Sequence, residues 1–219
     1  MKWRLLPTVA ALAVLLAVVA IPLALPMQWW LAKAERDGTL CPIEGGRNPG
    51  GAAVNFAAKR PCTDLHQTLT PGTSYRVTLR VTKQWCDLGI SADPIHGDRG
   101  GWWLAPFRFH RRVTSANWLK PLAIVRSPDA KIRIDPLDFD YLGDDTYRAR
   151  IVAPATGGRL YMALNDAFPP VFSSVFYDNN RGAALVAVEP EQGPACHNDG
   201  CAIALPPPPP ITCGAPVAR

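Results

Sequence analysis

Apolar and polar positions alternate with a period of two in a series of short runs. In "YRVTLRV" (75–81), Tyr75, Val77, Leu79 and Val81 are set against Arg76, Thr78 and Arg80. "FRFHRRV" (107–113) starts the same way, and "KIRID" (131–135), "TYRARIV" (146–152), "RLYMAL" (159–164) and "AALVAV" (183–188) complete the series. Runs of this length, separated by turn residues, predict half-buried strands of antiparallel sheet, hence an all-β sandwich or barrel. No convincing amphipathic helix follows residue 31. The alternation turns Arg76, Arg80, Arg108, Arg133, Arg148 and Arg150 outward, and "DPLDFDYLGDD" (135–145) reads as a solvated acidic loop facing them. That loop is a poor EF-hand, lacking the glycine and the terminal glutamate.

The ends of the chain follow other patterns. Residues 5–25 carry no charge, and as a helix they reach roughly 30 Å, the thickness of a hydrocarbon core. Lys2 and Arg4 precede the run and Trp29 and Trp30 follow it, which predicts a single-pass anchor with its N-terminus in the cytoplasm. The competing reading is a signal peptide cleaved near Ala32-Lys33-Ala34, but the apolar run exceeds the usual signal core. Either way the bulk of the chain is expected beyond the inner membrane, periplasmic or extracellular. Residues 1–31 then form tail and anchor, 32–70 a Gly- and Pro-rich stalk with a cysteine loop, and 71–190 the sandwich. Residues 191–219 form a Cys- and Pro-rich tail with "PPPPP" at 206–210, too stiff for a central strand.

All six cysteines, Cys41, Cys62, Cys86, Cys196, Cys201 and Cys213, lie beyond the apolar segment, which suits disulfides in an oxidising compartment. A short bridge from Cys196 to Cys201 around "HNDG" would leave Cys41–Cys62 and Cys86–Cys213. "CHNDGC" lacks the C-x-x-C spacing of a zinc knuckle. The net charge of +5 is too mild to argue for nucleic acid, and no recognition helix accompanies it. There is no G-x-S-x-G elbow, no H-E-x-x-H and no phosphate-binding loop, so no enzyme is predicted.

Two asparagine pairings remain. "LYMALNDA" ends a strand in Asn165-Asp166, and "YDNNRG" places Asn179 and Asn180 before the next strand. As turn residues they need no ligand, because Asn tolerates a left-handed backbone and Gly adopts it freely. As oxygen donors, Asp166, Asn179 and Asn180 are of the type calcium prefers. Pairing of "RLYMAL" with "AALVAV" as neighbouring strands would bring them to one end of the sheet.

The order strand, "NDA", loop, "NNRG", strand resembles the C-terminal end of the small bacterial calcium-dependent galactophilic lectins, in the galactose-binding-like β-sandwich class. "PGTSYRVTLRVTKQWCDLG" (71–89) is similar to that family's Pro-Gly turn, strand, and Trp followed four residues later by Gly, and "GDR" (97–99) has a counterpart. The resemblance spans about residues 70–190. It implies a galactose-binding-like jelly roll in which Asp166, Asn179 and Asn180 bind calcium through side-chain oxygens. Backbone carbonyls of Leu88 and Phe176 would complete the protein shell. The glycan would meet Asp166 and Asn179 at the metal, with Trp102, Trp103 and His96 as further contacts. The chain departs from the family in a longer loop carrying Pro169-Pro170, and in "GGWW" (100–103) where the family has a histidine. The expected function is a membrane-anchored, exported, calcium-dependent lectin-like protein that binds a glycan or envelope polysaccharide. The alternative is a non-catalytic envelope scaffold with the same fold and no metal, using its arginine face or proline tail.

Overall fold

The structure, a computed structural model, describes residues 29–30, 32–34, 36–37, 41, 52–87, 90–167 and 177–191, without the side chains of 102, 103, 106 and 107. Its strands are β1 (Val54–Ala57), β2 (Thr63–Leu69), β3 (Ser74–Asp87), β4 (Ile90–Ala92), β5 (Pro121–Arg126), β6 (Ile132–Pro136), β7 (Phe139–Gly143), β8 (Thr146–Val152), β9 (Gly158–Leu164) and β10 (Arg181–Pro190). They form two antiparallel sheets. One runs β1-β10-β3-β8-β7 with β4 added to β3, and the other runs β2-β9-β5-β6. The all-β sandwich is therefore present.

The inner faces follow from period-two patterning. Tyr75, Val77 and Leu79 of β3 and Ala184, Val186 and Val188 of β10 meet Leu160, Met162 and Leu164 of β9, and Ala123 and Val125 of β5, in one core. Each large apolar side chain buried here contributes roughly 1.5–3 kcal/mol relative to exposure. The four-stranded sheet is covered on its outer face as well. Ile124, Tyr161 and Ala163 pack there with Ala34, Cys41, Cys62 and Trp30. This explains why β5, "PLAIVR", is apolar up to its last residue, Arg126, and shows no alternation.

Several expectations are corrected. The sandwich begins at Val54 rather than at residue 71, because β1 and β2 are integral strands and Phe56, Leu65 and Leu69 lie in the core. Residue 30 of the expected anchor and residues 34 and 41 of the expected stalk lie on a sheet face, so these described positions belong to the packed unit. Cys41 and Cys62 form a disulfide at a sequence separation of 21, a closure worth about 3 kcal/mol in the chain-entropy model. Cys86 is disulfide-bonded too; Cys196, Cys201 and Cys213 lie outside the described residues.

"FRFHRRV" is no strand. Residues Trp102–His110 form a 3-10 helix, opened by Leu104 N–H donating to the Gly101 carbonyl at 2.9 Å. Pro106 deprives this stretch of a donor that a strand ladder needs. The acidic stretch contains β7, with Phe139 turned into the core and Asp140 opposite Arg148 of β8. Of the arginines read as outward, Arg80 is buried, at 8% exposed. Among the described residues no helix is long and apolar enough to cross a membrane; the apolar run at 5–25 lies outside them.

Candidate functional site

β9 and β10 are not neighbours: β9 lies between β2 and β5, and β10 between β1 and β3, in the other sheet. β9 is buried on both faces, whereas β10 keeps one face turned outward. The premise that would have gathered Asp166 and the asparagines in one sheet therefore fails. Their meeting happens across the sandwich instead, where the end of β9 and the start of β10 share a rim.

Asp166, two residues beyond β9, is 1% exposed. Asn180, immediately before β10, donates from Nδ2 to Asp166 Oδ2 at 2.7 Å, and the Ala167 N–H donates to Asp166 Oδ1 at 2.6 Å. Asn180 Nδ2 also approaches the Ala58 carbonyl at 3.5 Å. With its amide nitrogen turned to a carboxylate, Asn180 holds its Oδ1 away from it. That oxygen is buried and accepts no hydrogen bond, and the same is true of Asn179 Oδ1.

A third such oxygen arrives by register. Cys86 of β3 stands opposite Arg181 of β10, so the next residue on each strand brings Asp87 beside Asn180. Asp87 Oδ1 is likewise buried without a hydrogen-bond donor. Burial pushes the Asp87 carboxyl up to about 6. Asp166 is pushed up to about 7, chiefly by burial and further by the negative charge of Asp87, against the opposing donors Asn180 and Ala167 and the charge of Arg112. Both shifts come chiefly from burial, which disfavours the charged carboxylate, and only at Asp166 does a neighbouring negative charge add to it.

The local sequence explains this placement. The Asn180 N–H donates to the Tyr177 carbonyl at 3.2 Å, closing a turn. Neither asparagine takes a positive φ; Gly182 does, at 129°. A Cβ on Gly182 would lie 2.3 Å from Trp85 Cδ1, so this glycine lets β10 cross the indole that anchors the end of β3. The turn thus accounts for the backbone of "NNRG". It leaves two buried amide oxygens unexplained, and a buried acceptor without a donor costs about 1–3 kcal/mol.

The other expected residues scatter. Leu88 and Phe176 lie outside the described residues, and Trp102 and Trp103 are placed by backbone alone, at the start of the 3-10 helix. His96 sits on an exposed loop, where its ring meets Asp93 at 3.3 Å and its carbonyl accepts from Asn117 Nδ2 at 2.8 Å. None of these contacts reaches Asp166. Asn165 serves a separate purpose. Fully buried, it accepts from the Val113 N–H at 3.0 Å and donates to the carbonyls of Val113, Ala116 and Asn117 at 2.9–3.0 Å, so it braces the loop before β5.

Sequence reasoning missed Asp87, although it stands in "QWCDLG" directly before Leu88, whose carbonyl was expected at the metal. Among the described residues no three His, Cys, Asp or Glu side chains are grouped to hold a metal ion. The rim offers two carboxylates and two amides, a set of hard oxygen donors suited to calcium and poorly suited to zinc. No protein-family model matches the chain, and neither a curated protein nor a solved structure does.

Proposed function

We propose that this chain is an exported, membrane-anchored, lectin-like module with a galactose-binding-like sandwich, whose rim takes calcium and through it a glycan. One observation carries the reading. Asp87, Asn179 and Asn180 each hold a buried side-chain oxygen without a hydrogen-bond donor, and the Asn180 amide nitrogen bonds the buried carboxylate of Asp166. Oxygens of this kind are satisfied by a hard cation. Asp87 and Asp166 would supply its counter-charge, and Asn179 and Asn180 neutral oxygens. Calcium in an open site accepts hydroxyl oxygens in place of water, which is the chemistry a sugar diol requires. The chain's own part is to fix four donors on the ends of β3, β9 and β10 and to exclude water beneath them.

The test is thermal unfolding of the full chain, disulfides intact, in chelator and then in about 10 mM calcium. For a Kd of about 0.1–1 mM, calcium adds roughly 1.4–2.7 kcal/mol by mass action. The expected result is an upward shift in Tm that disappears in Asp166→Ala, followed by retention on immobilised galactose in calcium alone. Absence of a shift would leave a non-catalytic envelope scaffold as the reading.

A further inference from the structure

On the four-stranded-sheet side of the same rim lies a cleft of about 260 Å³, lined by Ser115, Ala116, Asn117, Lys120, Pro136 and Asp138. Its floor is rigid. Asn165 braces the loop through Val113, Ala116 and Asn117. The Arg111 guanidinium, stacked 5.2 Å from the Trp118 ring, donates to the carbonyls of Thr114 and Ala116. Backbone held this firmly costs a ligand little ordering entropy.

The polar groups facing the cleft are of both kinds. Lys120 Nζ donates to Asp138 Oδ1 at 2.6 Å, with the lysine side chain 16% exposed and the aspartate 90% exposed. Asn117 spends its amide N–H on the His96 carbonyl, leaving its oxygen free to accept. Among the described residues no hydrogen bond involves the Ser115 hydroxyl. The ion pair makes the cleft electrically neutral, so an anion would have to displace Asp138. A hydroxyl group needs no displacement, since it accepts from the ammonium while donating to the carboxylate or the amide. Adjacent hydroxyls spaced along a ring match such an alternating set, and Ala116 and Pro136 offer apolar surface to the C–H face of the ring.

We propose that this cleft is a saccharide-binding site that works without metal, recognising a hexose through Lys120, Asp138, Asn117 and Ser115. It does not depend on the calcium reading, although both would serve one glycan along one rim.

The test is a titration of the full chain in chelator with methyl glucoside, galactoside and mannoside, each to about 100 mM, following backbone amide shifts by NMR. At least one hexoside should give saturating shifts at residues 115–120. Its affinity should fall at least tenfold in Asp138→Asn and in Lys120→Met, and stay unchanged in Asp166→Asn. Asp138 is exposed, so its variant keeps the fold, and unchanged shifts elsewhere verify this. Silence from all three sugars overturns the proposal, as does binding that survives both cleft variants. Shifts produced by inorganic phosphate alone would reassign the cleft to anions and overturn it equally. Hexoside binding in chelator together with no thermal response to calcium would uphold the cleft and sink only the metal reading.

Discussion

Asp64 and Asp166 are both buried aspartates at strand ends, 2% and 1% exposed, and their surroundings could hardly differ more. Asp64, on β2, receives Arg159 of β9 in a forked pair, Nε to Oδ1 at 2.9 Å and Nη2 to Oδ2 at 3.0 Å. The His66 N–H adds a donor to Oδ1 at 2.7 Å. Asp166 is bonded by two neutral donors, the Ala167 N–H and the Asn180 amide. Two charges act on it, the acid Asp87, which raises its pKa, and Arg112, which lowers it. A buried carboxylate needs positive charge from somewhere. Asp64 draws it from within the chain and so locks β2 to β9 where a bulge interrupts their register between Asp64 and Gln67. Asp166 feels the charge of Arg112 but forms no such forked pair among the described residues, which is the physical case for a cation supplied from outside.

The largest effect should come from breaking the satisfied site. Asp64→Ala removes the carboxylate from the Arg159 guanidinium, whose side chain is 17% exposed and which keeps only weaker partners such as His66 Nδ1 at 3.1 Å. Removing one partner of a buried pair typically costs about 3–5 kcal/mol. Urea unfolding should show that loss in the midpoint with the slope unchanged, and Arg159→Met in the same background should recover part of it. Asp166→Asn in chelator should cost nothing comparable. Equal losses at the two positions would mean that Asp166 is already compensated, and the contrast would be gone.

Next in size is a dependence on pH. Asp166 titrates near 7 in the folded chain and near its ordinary 3.8 when unfolded. Between those values the native state holds a proton that the unfolded state has released, so stability falls as pH rises and levels off above about 8. From pH 5 to pH 8 the metal-free protein should lose about 2–3 kcal/mol through this group. The loss should shrink in Asp166→Asn to the smaller part that Asp87, raised to about 6, contributes with the same sign, and be offset by calcium at pH 8. Chemical denaturation of both proteins across that range measures it. A wild-type profile parallel to that of Asp166→Asn would show that the carboxyl is not held neutral by burial.

What was legible in the sequence divides along the same physical line. β3, β8 and β10 each keep one face outward, so their alternation announced them. β5 is buried on both faces and carries no period. β2 loses its period at the bulge, where His66 adopts a φ of 55°. Asp166 and Asn180 were legible because they flank a single loop between two recognisable strands. Asp87 was not, because only the pairing of Cys86 with Arg181 brings it beside Asn180, and strand register is a tertiary fact. Asn165 and Asn180 look alike in the sequence. Four hydrogen bonds make the first a brace, whereas an unpaired oxygen sets the second apart.

The smallest expected effect is the sharpest on this point. Asn179 Oδ1 is buried without a donor, so truncation to alanine removes an unsatisfied acceptor rather than a made bond. In chelator Asn179→Ala should lie within about 0.5 kcal/mol of the parent, since the relief of desolvation offsets the lost packing. In about 10 mM calcium the same variant should lose a donor to the ion. A tenfold weaker affinity would remove up to about 1.4 kcal/mol of the calcium-dependent increment. A variant silent without calcium and deficient with it identifies the oxygen as a ligand. A cost above about 1.5 kcal/mol in chelator would mean that Asn179 already has its partner within the fold. The rim would then be as self-sufficient as the Asp64 pair, with nothing left for a cation to satisfy.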